Sequence, residues 1–268
     1  MVNQLLFGEM VSILEEGPKI WVKIRGIMDG YEGWISGGQL EPVDERTAML
    51  RQMPTVKQPF TLIQAEGRSM LIPFGASFAG WGSLTGLPDF YRVKGGSSEV
   101  LEKTETPGFT AQFGNFRYSY KISTNKTPSL LALTGAWLDA PYLWGGRTVL
   151  GVDCSGFAQT IYKVMGMFIP RDAHQQALEG HVIGFLQEAG PGDLAFFDDE
   201  EGKIVHVGIL LSDHEIVHAA GGTGKVQIDK IDNEGIVRSN DGLRTHRLRI
   251  IKRYFTKGTG GLQYVTNQ

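Results

Sequence analysis

A single cysteine, Cys154, stands among the 268 residues. One cysteine excludes an intramolecular disulfide framework, so nothing in the chain requires an oxidising compartment. No apolar run approaches the roughly 18 residues of a membrane span. Nor does a positively charged leader with an apolar core and a cleavage site open the chain. The sequence as it stands therefore reads as cytoplasmic, or as periplasmic or extracellular if a leader precedes Met1. Basic blocks are missing as well. The net charge is −3, with Lys and Arg spread along the chain, which argues against nucleic acid and membrane surfaces as partners. Glycine, at 36 residues, is abundant, and aromatics make up 10%. That mix favours short strands and turns over long helices. The length exceeds the usual size of one domain, so two or three compact units are expected.

Residues 1–43 hold short strand-like runs, LLFGEMVSILEE, KIWVKIRG and YEGWISGGQL, close to the two-residue period of a half-buried sheet. Asp29-Gly30 marks a turn between two of them. EPVDERTAML has helical propensity and ends at Met53-Pro54, which reads as a linker. From Thr55 to about Tyr120 a second β-rich block follows, with FTLIQAEG, SMLIPFGASF, PDFYRVKGG and GFTAQFGNFRYSY interrupted at Gly95–Ser98. From Thr127 the character changes. TPSLLALTGAWLDAP predicts a helix capped by Thr127, with Pro128 in its first turn and Pro141 just beyond its end. A second helix opens at Cys154, where Phe157, Ala158, Ile161, Tyr162, Val164 and Met165 fit one broad apolar face. PRDAHQQALEG (170–180) reads as a loop or short helix. The runs GDLAFFDD, KIVHVGILLS, HEIVHAAG and RLRIIKRYF then follow in quick succession. Helices first and an antiparallel sheet afterwards describe an α+β domain.

Asp153 and Ser155 flank Cys154, and either could cap its helix. A thiol at a helix N-terminus sits at the positive end of the peptide dipoles, which favours the nucleophilic thiolate. The alternative is a small buried cysteine with no chemistry. Six histidines are present, and His206 lies in the middle of the apolar run IVHVGIL. Burying it costs desolvation unless a partner is supplied. A core histidine bonded to a backbone carbonyl is the plainer reading. His218, in EIVHAAG, follows a Ser212-Asp213-His214-Glu215 turn that would bring the two histidines onto adjacent strands. Cysteine, histidine and a group that orients the histidine form a nucleophile–base–orienter set. His206 and His218 lack the spacing of a zinc motif, so no metal and no cofactor is expected.

The ordered set Y-x-W-G-G…D-C-S-G-F, P-R-D-x-x-Q, G-D-L-x-F-F and H-V-G-I…H-A resembles the NlpC-type cell-wall cysteine peptidases. It is similar in particular to the γ-D-glutamyl-L-diamino acid endopeptidases of dipeptidyl-peptidase VI type, which carry bacterial SH3-like domains before the peptidase. The pattern G-E-x-V…W-V-K-I-R…G-Y-E-G-W-I resembles those domains, which usually begin with one more strand before the segment that is Val2–Phe7 here. The resemblance implies an α+β architecture, with a papain-like peptidase domain preceded by two small SH3-like β-barrels. Its domains would be 1–54, a first SH3-like domain and linker; 55–125, a divergent second one; and 126–268, the peptidase.

Carried over position by position, the resemblance makes Cys154 the nucleophile, His206 the general base and His218 the residue orienting it. Tyr142 and the Cys154 backbone N–H would donate to the oxyanion. Asp153, with Glu9 and Tyr31 from the first SH3-like domain, would read the free amine of L-Ala-γ-D-Glu-diamino acid. Ser155 would bond the D-glutamate α-carboxylate, and Trp144 would wall the pocket. Tyr142 could instead be a core tyrosine, and Glu9 and Tyr31 ordinary exposed barrel residues. The family often has serine where Ala173 stands, so one carboxylate contact would be lost, or taken over by His174 or Gln175. The implied function is cleavage of the γ-D-glutamyl–diamino acid bond of free murein peptides by a monomer. The alternatives are a hydrolase of intact wall that uses SH3-like domains as wall-binding modules, an acyl or lipid transferase, and an inactive wall-binding module.

Overall fold

A computed structural model of the protein describes residues 1–43, 45, 54–65, 67–78, 108–113, 116–121, 129–258 and 261–264. The chain forms two compact units, one of Met1–Leu5 with Pro128–Gln268 and the other of Leu6–Thr127. The helix expected from EPVDERTAML, the strand run PDFYRVKGG and the Gly95–Ser98 interruption lie wholly or mostly outside the described residues.

The Leu6–Thr127 unit carries two antiparallel sheets. β1 (Val11–Glu16), β2 (Trp21–Gly26) and β3 (Glu32–Ser36) form a meander. The Asp29-Gly30 turn joins β2 to β3, with the Gly26 N–H on the Tyr31 carbonyl and Gly30 at φ +69°. β4 (Phe60–Ala65), β5 (Arg68–Pro73), β6 (Gly108–Phe113) and β7 (Phe116–Lys121) form the second sheet in the order β5-β4-β7-β6. Alternation along β4 buries Thr61, Ile63 and Ala65 and leaves Leu62 and Gln64 exposed, as a one-sided sheet requires. Among the described residues neither sheet closes on itself.

The other unit has helices first and a sheet afterwards. α1 (Leu130–Gly135) starts later than expected, because the Ser129 side chain accepts the Ala132 N–H and is the cap; Thr127 and Pro128 lie outside the described residues. The hairpin of β8 (Arg147–Thr148) and β9 (Gly151–Val152) leads into α2 (Cys154–Val164). All eleven residues of α2 are buried, so the helix is enclosed and not merely apolar on one face. After α3 (Ala173–Gln176) come β10 (His181–Ile183), β11 (Leu194–Asp198), β12 (Ile204–Leu210) and β13 (Glu215–Ala220). They are followed by β14 (Lys225–Asp232), β15 (Gly235–Val237) and β16 (Arg244–Arg253). The order is β10-β16-β11-β12-β13-β14-β15, and β15 also pairs with β16, which closes six of these strands into a ring. Ala195, Phe197, Leu210, Ile216, Ile231 and Ile251 belong to one buried cluster supplied by its strands. A small hairpin, β17 (Phe255–Gly258) with β18 (Gly261–Tyr264), ends the described chain. No described helix is long and apolar enough to cross a membrane.

Candidate active site

Cys154 is the first residue of α2, and Asp153 before it is the cap: its Oδ1 accepts the Gly156 N–H at 2.7 Å. A Cβ at position 156 would meet the Gly146 carbonyl oxygen at 2.4 Å, so only glycine lets the loop cross the first turn of the helix. Asp153 is itself fixed from several sides. Arg171 donates through Nη1 to Oδ1 at 3.0 Å and through Nη2 to Oδ2 at 2.6 Å, and the Gly145 N–H reaches Oδ2 at 2.8 Å. Both side chains are buried, which makes this a matched pair whose desolvation is offset by bidentate geometry. Arg171 Nη1 also donates to Ser155 Oγ at 2.8 Å, and its Nε donates to Asn3 Oδ1 at 2.8 Å. The segment Met1–Leu5 thus ties into this corner, where Gln4 Oε1 accepts the Arg147 N–H at 2.7 Å.

The sulfur of Cys154 is buried, with the backbone N–H groups of Ser155 and Val207 directed at it. Burial, and next the nearby Asp153 carboxylate, push the thiol up to about 11. The helix terminus acts the other way, favouring the thiolate. A helix terminus is worth about 0.3–1 kcal/mol, under one pKa unit, whereas full burial can move a group by about 3–5 units. Burial wins. Ionising the thiol therefore calls for a base.

β12 brings an imidazole to the same helix. Val207, whose N–H points at the sulfur, directly follows His206, and α2 packs on β12 and β13. His206 Nε2 and His218 Nδ1 are 2.9 Å apart, and both rings are buried. The ladder between β12 and β13 runs through Ile209–Val217, and one step on it would set Gly208 opposite His218. A Cβ on Gly208 would lie 3.0 Å from the His218 Cβ and 2.6 Å from Ile216, so glycine two residues after His206 lets the imidazoles meet. Burial, then the neighbouring His218 and His246, hold His206 well below the usual imidazole range, so it is neutral. Tyr142 is half-buried, and burial together with the charge a Cys154 thiolate would carry raise its phenol to about 12. It stays protonated and can donate.

The other expected residues fall as follows. Ser155 is buried, with its hydroxyl already shared between Arg171 and Asp153. Trp144 is 68% exposed on the loop before β8. Ala173 is buried, while His174 and Gln175 are exposed. Gln176 turns inward, its Nε2 on the carbonyls of Ser155 and Pro170. Glu9 and Tyr31 belong to the Leu6–Thr127 unit, where the Glu9 carboxylate accepts the Leu6 N–H at 2.9 Å. Three residues escaped the sequence reading: Arg171, Asp229 and His246. Arg171 was signalled by P-R-D, a charge next to a proline in a buried motif. His246 stacks on His206 with ring centroids 4.2 Å apart, and Asp229 contacts His218; both arrive from strands far along the chain. Among the described residues no group of three or more His, Cys, Asp or Glu is set to hold a metal ion.

The chain is similar to known proteins over most of its length. Residues 139–244 match the model of the NlpC/P60 family, and residues 1–40 match that of the bacterial dipeptidyl-peptidase Sh3 domain. The chain is 34% identical over 234 residues to a gamma-D-glutamyl-L-lysine dipeptidyl-peptidase of Bacillus subtilis, covering 83% of this chain and 73% of that protein. It is 32% identical over 268 residues to a protein of the same name from Bacillus cereus, covering 91% of this chain and 74% of the relative. A crystal structure of an NlpC/P60 family protein from Bacillus cereus superposes with a TM-score of 0.68 at 22% identity, covering 94% of this chain and 81% of the other.

Proposed function

The chain belongs to the NlpC/P60 family of peptidases, and from that premise we propose that it hydrolyses the γ-D-glutamyl–diamino acid bond of free murein peptides with an unblocked N-terminal L-alanine. The observation that carries the reading is the 2.9 Å contact between His206 and His218 on the strands beside a cysteine that opens a buried helix. His206 takes the thiol proton as the Cys154 sulfur attacks the γ-carbonyl. Tyr142 and the Cys154 backbone N–H donate to the oxygen that becomes negative. The tetrahedral intermediate collapses, the C–N bond breaks, and His206 returns the proton to the departing amine. Water, deprotonated by the same imidazole, then cleaves the thioester and releases L-Ala-γ-D-Glu.

Substrate selection is the finer part of the proposal. Asp153 reads the ammonium of the free alanine, and Trp144 walls the pocket. Asp153 is already charge-matched by Arg171. A peptide whose amine is acylated by muramic acid brings no ammonium to be read and should be turned over more slowly. We further propose that 1–54 and 55–125 are two SH3-like domains and 126–268 the peptidase, with Met1–Leu5 packed on the peptidase unit. Turnover of free L-Ala-γ-D-Glu-diaminopimelate against its muramyl-linked form tests the specificity. Equal rates would discard the recycling role in favour of a hydrolase of intact wall.

A further inference from the structure

The chemistry above uses His218 only as the neighbour of His206, yet His218 has a second buried partner. Asp229 Oδ2 lies 3.1 Å from His218 Nε2. The carboxylate is held from other sides too, by the Ser239 N–H on Oδ1 at 2.8 Å and by Gln227 Nε2 on Oδ2 at 2.5 Å. Burial alone would raise its pKa, but hydrogen bonds from His218, Ser239 and Gln227 bring it down to about 2.

An ionised carboxylate only accepts, so His218 Nε2 must carry a proton and donate it. In the neutral ring Nδ1 is then a lone pair. The 2.9 Å contact therefore requires the proton on His206 Nε2, which leaves Nδ1 as the basic atom of His206. His246 stacks on the His206 ring with an interplanar angle of 24°. Its Nδ1 lies 2.9 Å from Thr245 Oγ1, and a stacked ring does not alter which nitrogen of His206 bears the proton. We infer that Asp229 is a positioning residue that, acting through His218, sets the tautomer in which His206 Nδ1 takes the Cys154 proton. The inference rests on the peptidase reading for its purpose, although the tautomer itself can be observed without substrate.

Asp229→Asn supplies the test. The Ser239 backbone N–H cannot turn, so the asparagine carbonyl must stay with it. Its NH2 then faces His218 Nε2. His218 responds by moving its proton to Nδ1, and His206 by moving its own from Nε2 to Nδ1, which removes the base. The readout is two-bond 1H–15N spectra of the histidine rings in the full-length resting protein, together with kcat and KM on the free tripeptide. The expected result is His206 protonated on Nε2 in the natural protein and on Nδ1 in Asp229→Asn. The variant should lose about 100-fold or more in kcat, as wrong-tautomer variants of other triads do, with KM little changed. A natural protein with His206 protonated on Nδ1 overturns the inference. So does a variant with an unchanged tautomer and a kcat within a few-fold of the natural one. If the variant fails to fold, the spectrum of the natural protein decides alone. A correct tautomer in a protein that cleaves no tripeptide would refute the activity and leave the positioning intact.

Discussion

Cys154 and Arg171 are the two residues whose burial matters most. Because the thiol is pushed up to about 11, alkylation of Cys154 in the resting protein should rise steadily with pH through pH 9. A plateau below pH 6 would mean that a resting thiolate exists after all. Arg171, almost fully buried, matches the charge of Asp153, caps nothing itself, and still holds the cap of α2 in place. Removing one member of a buried pair leaves the other uncompensated, so Arg171→Ala should lower unfolding stability by about 3–5 kcal/mol. Denaturant unfolding measures it, and a loss under about 1 kcal/mol, the range of an exposed pair, would show that the pair is not what fixes the loop.

The relay is carried by neighbouring strands, and its parts were unequally legible. The α+β order, the helix at Cys154 and the pairing of His206 with His218 could be read from apolar periodicity and one short turn. The cap stays open in the sequence between Asp153 and Ser155, and the Gly156 N–H on Asp153 decides it. Asp229 could not. His218 pairs with Gln227, and Asp229 meets it diagonally two residues further along β14, a relation fixed by register and not by spacing. His246 reaches His206 only because β15 pairs with β16 and closes the ring, a tertiary event without a local signal. The cap of α1 was misread because Thr127 and Ser129 are both good caps, and the Ser129 hydroxyl is the one that meets the Ala132 N–H. At this scale Gly208→Ala is the informative change. The added methyl would press on Ile216 and the His218 Cβ, which should cost about 1–3 kcal/mol of stability and lower kcat more than it raises KM. Unchanged kinetics would show that the close approach of β12 and β13 is dispensable.

For the molecule as a whole, acid sensitivity follows from Asp229. Its carboxyl is held below its unfolded value of roughly 3.9, at about 2. The stability it contributes is therefore complete above that unfolded value and is lost as pH falls toward 2. Asp229→Asn should flatten the fall in stability between about pH 4 and pH 2, which unfolding curves over that range would register; an identical fall in both proteins would remove Asp229 from the account. The proposed function narrows to one bond in one class of peptide, cleaved by Cys154. The most direct measurement is mass spectrometry of the products when the natural protein and Cys154→Ala are each given free L-Ala-γ-D-Glu-L-Lys. The natural protein should yield L-Ala-γ-D-Glu and lysine, and Cys154→Ala neither. Cleavage that survives in Cys154→Ala, or that falls at the alanyl–glutamyl bond, would contradict it.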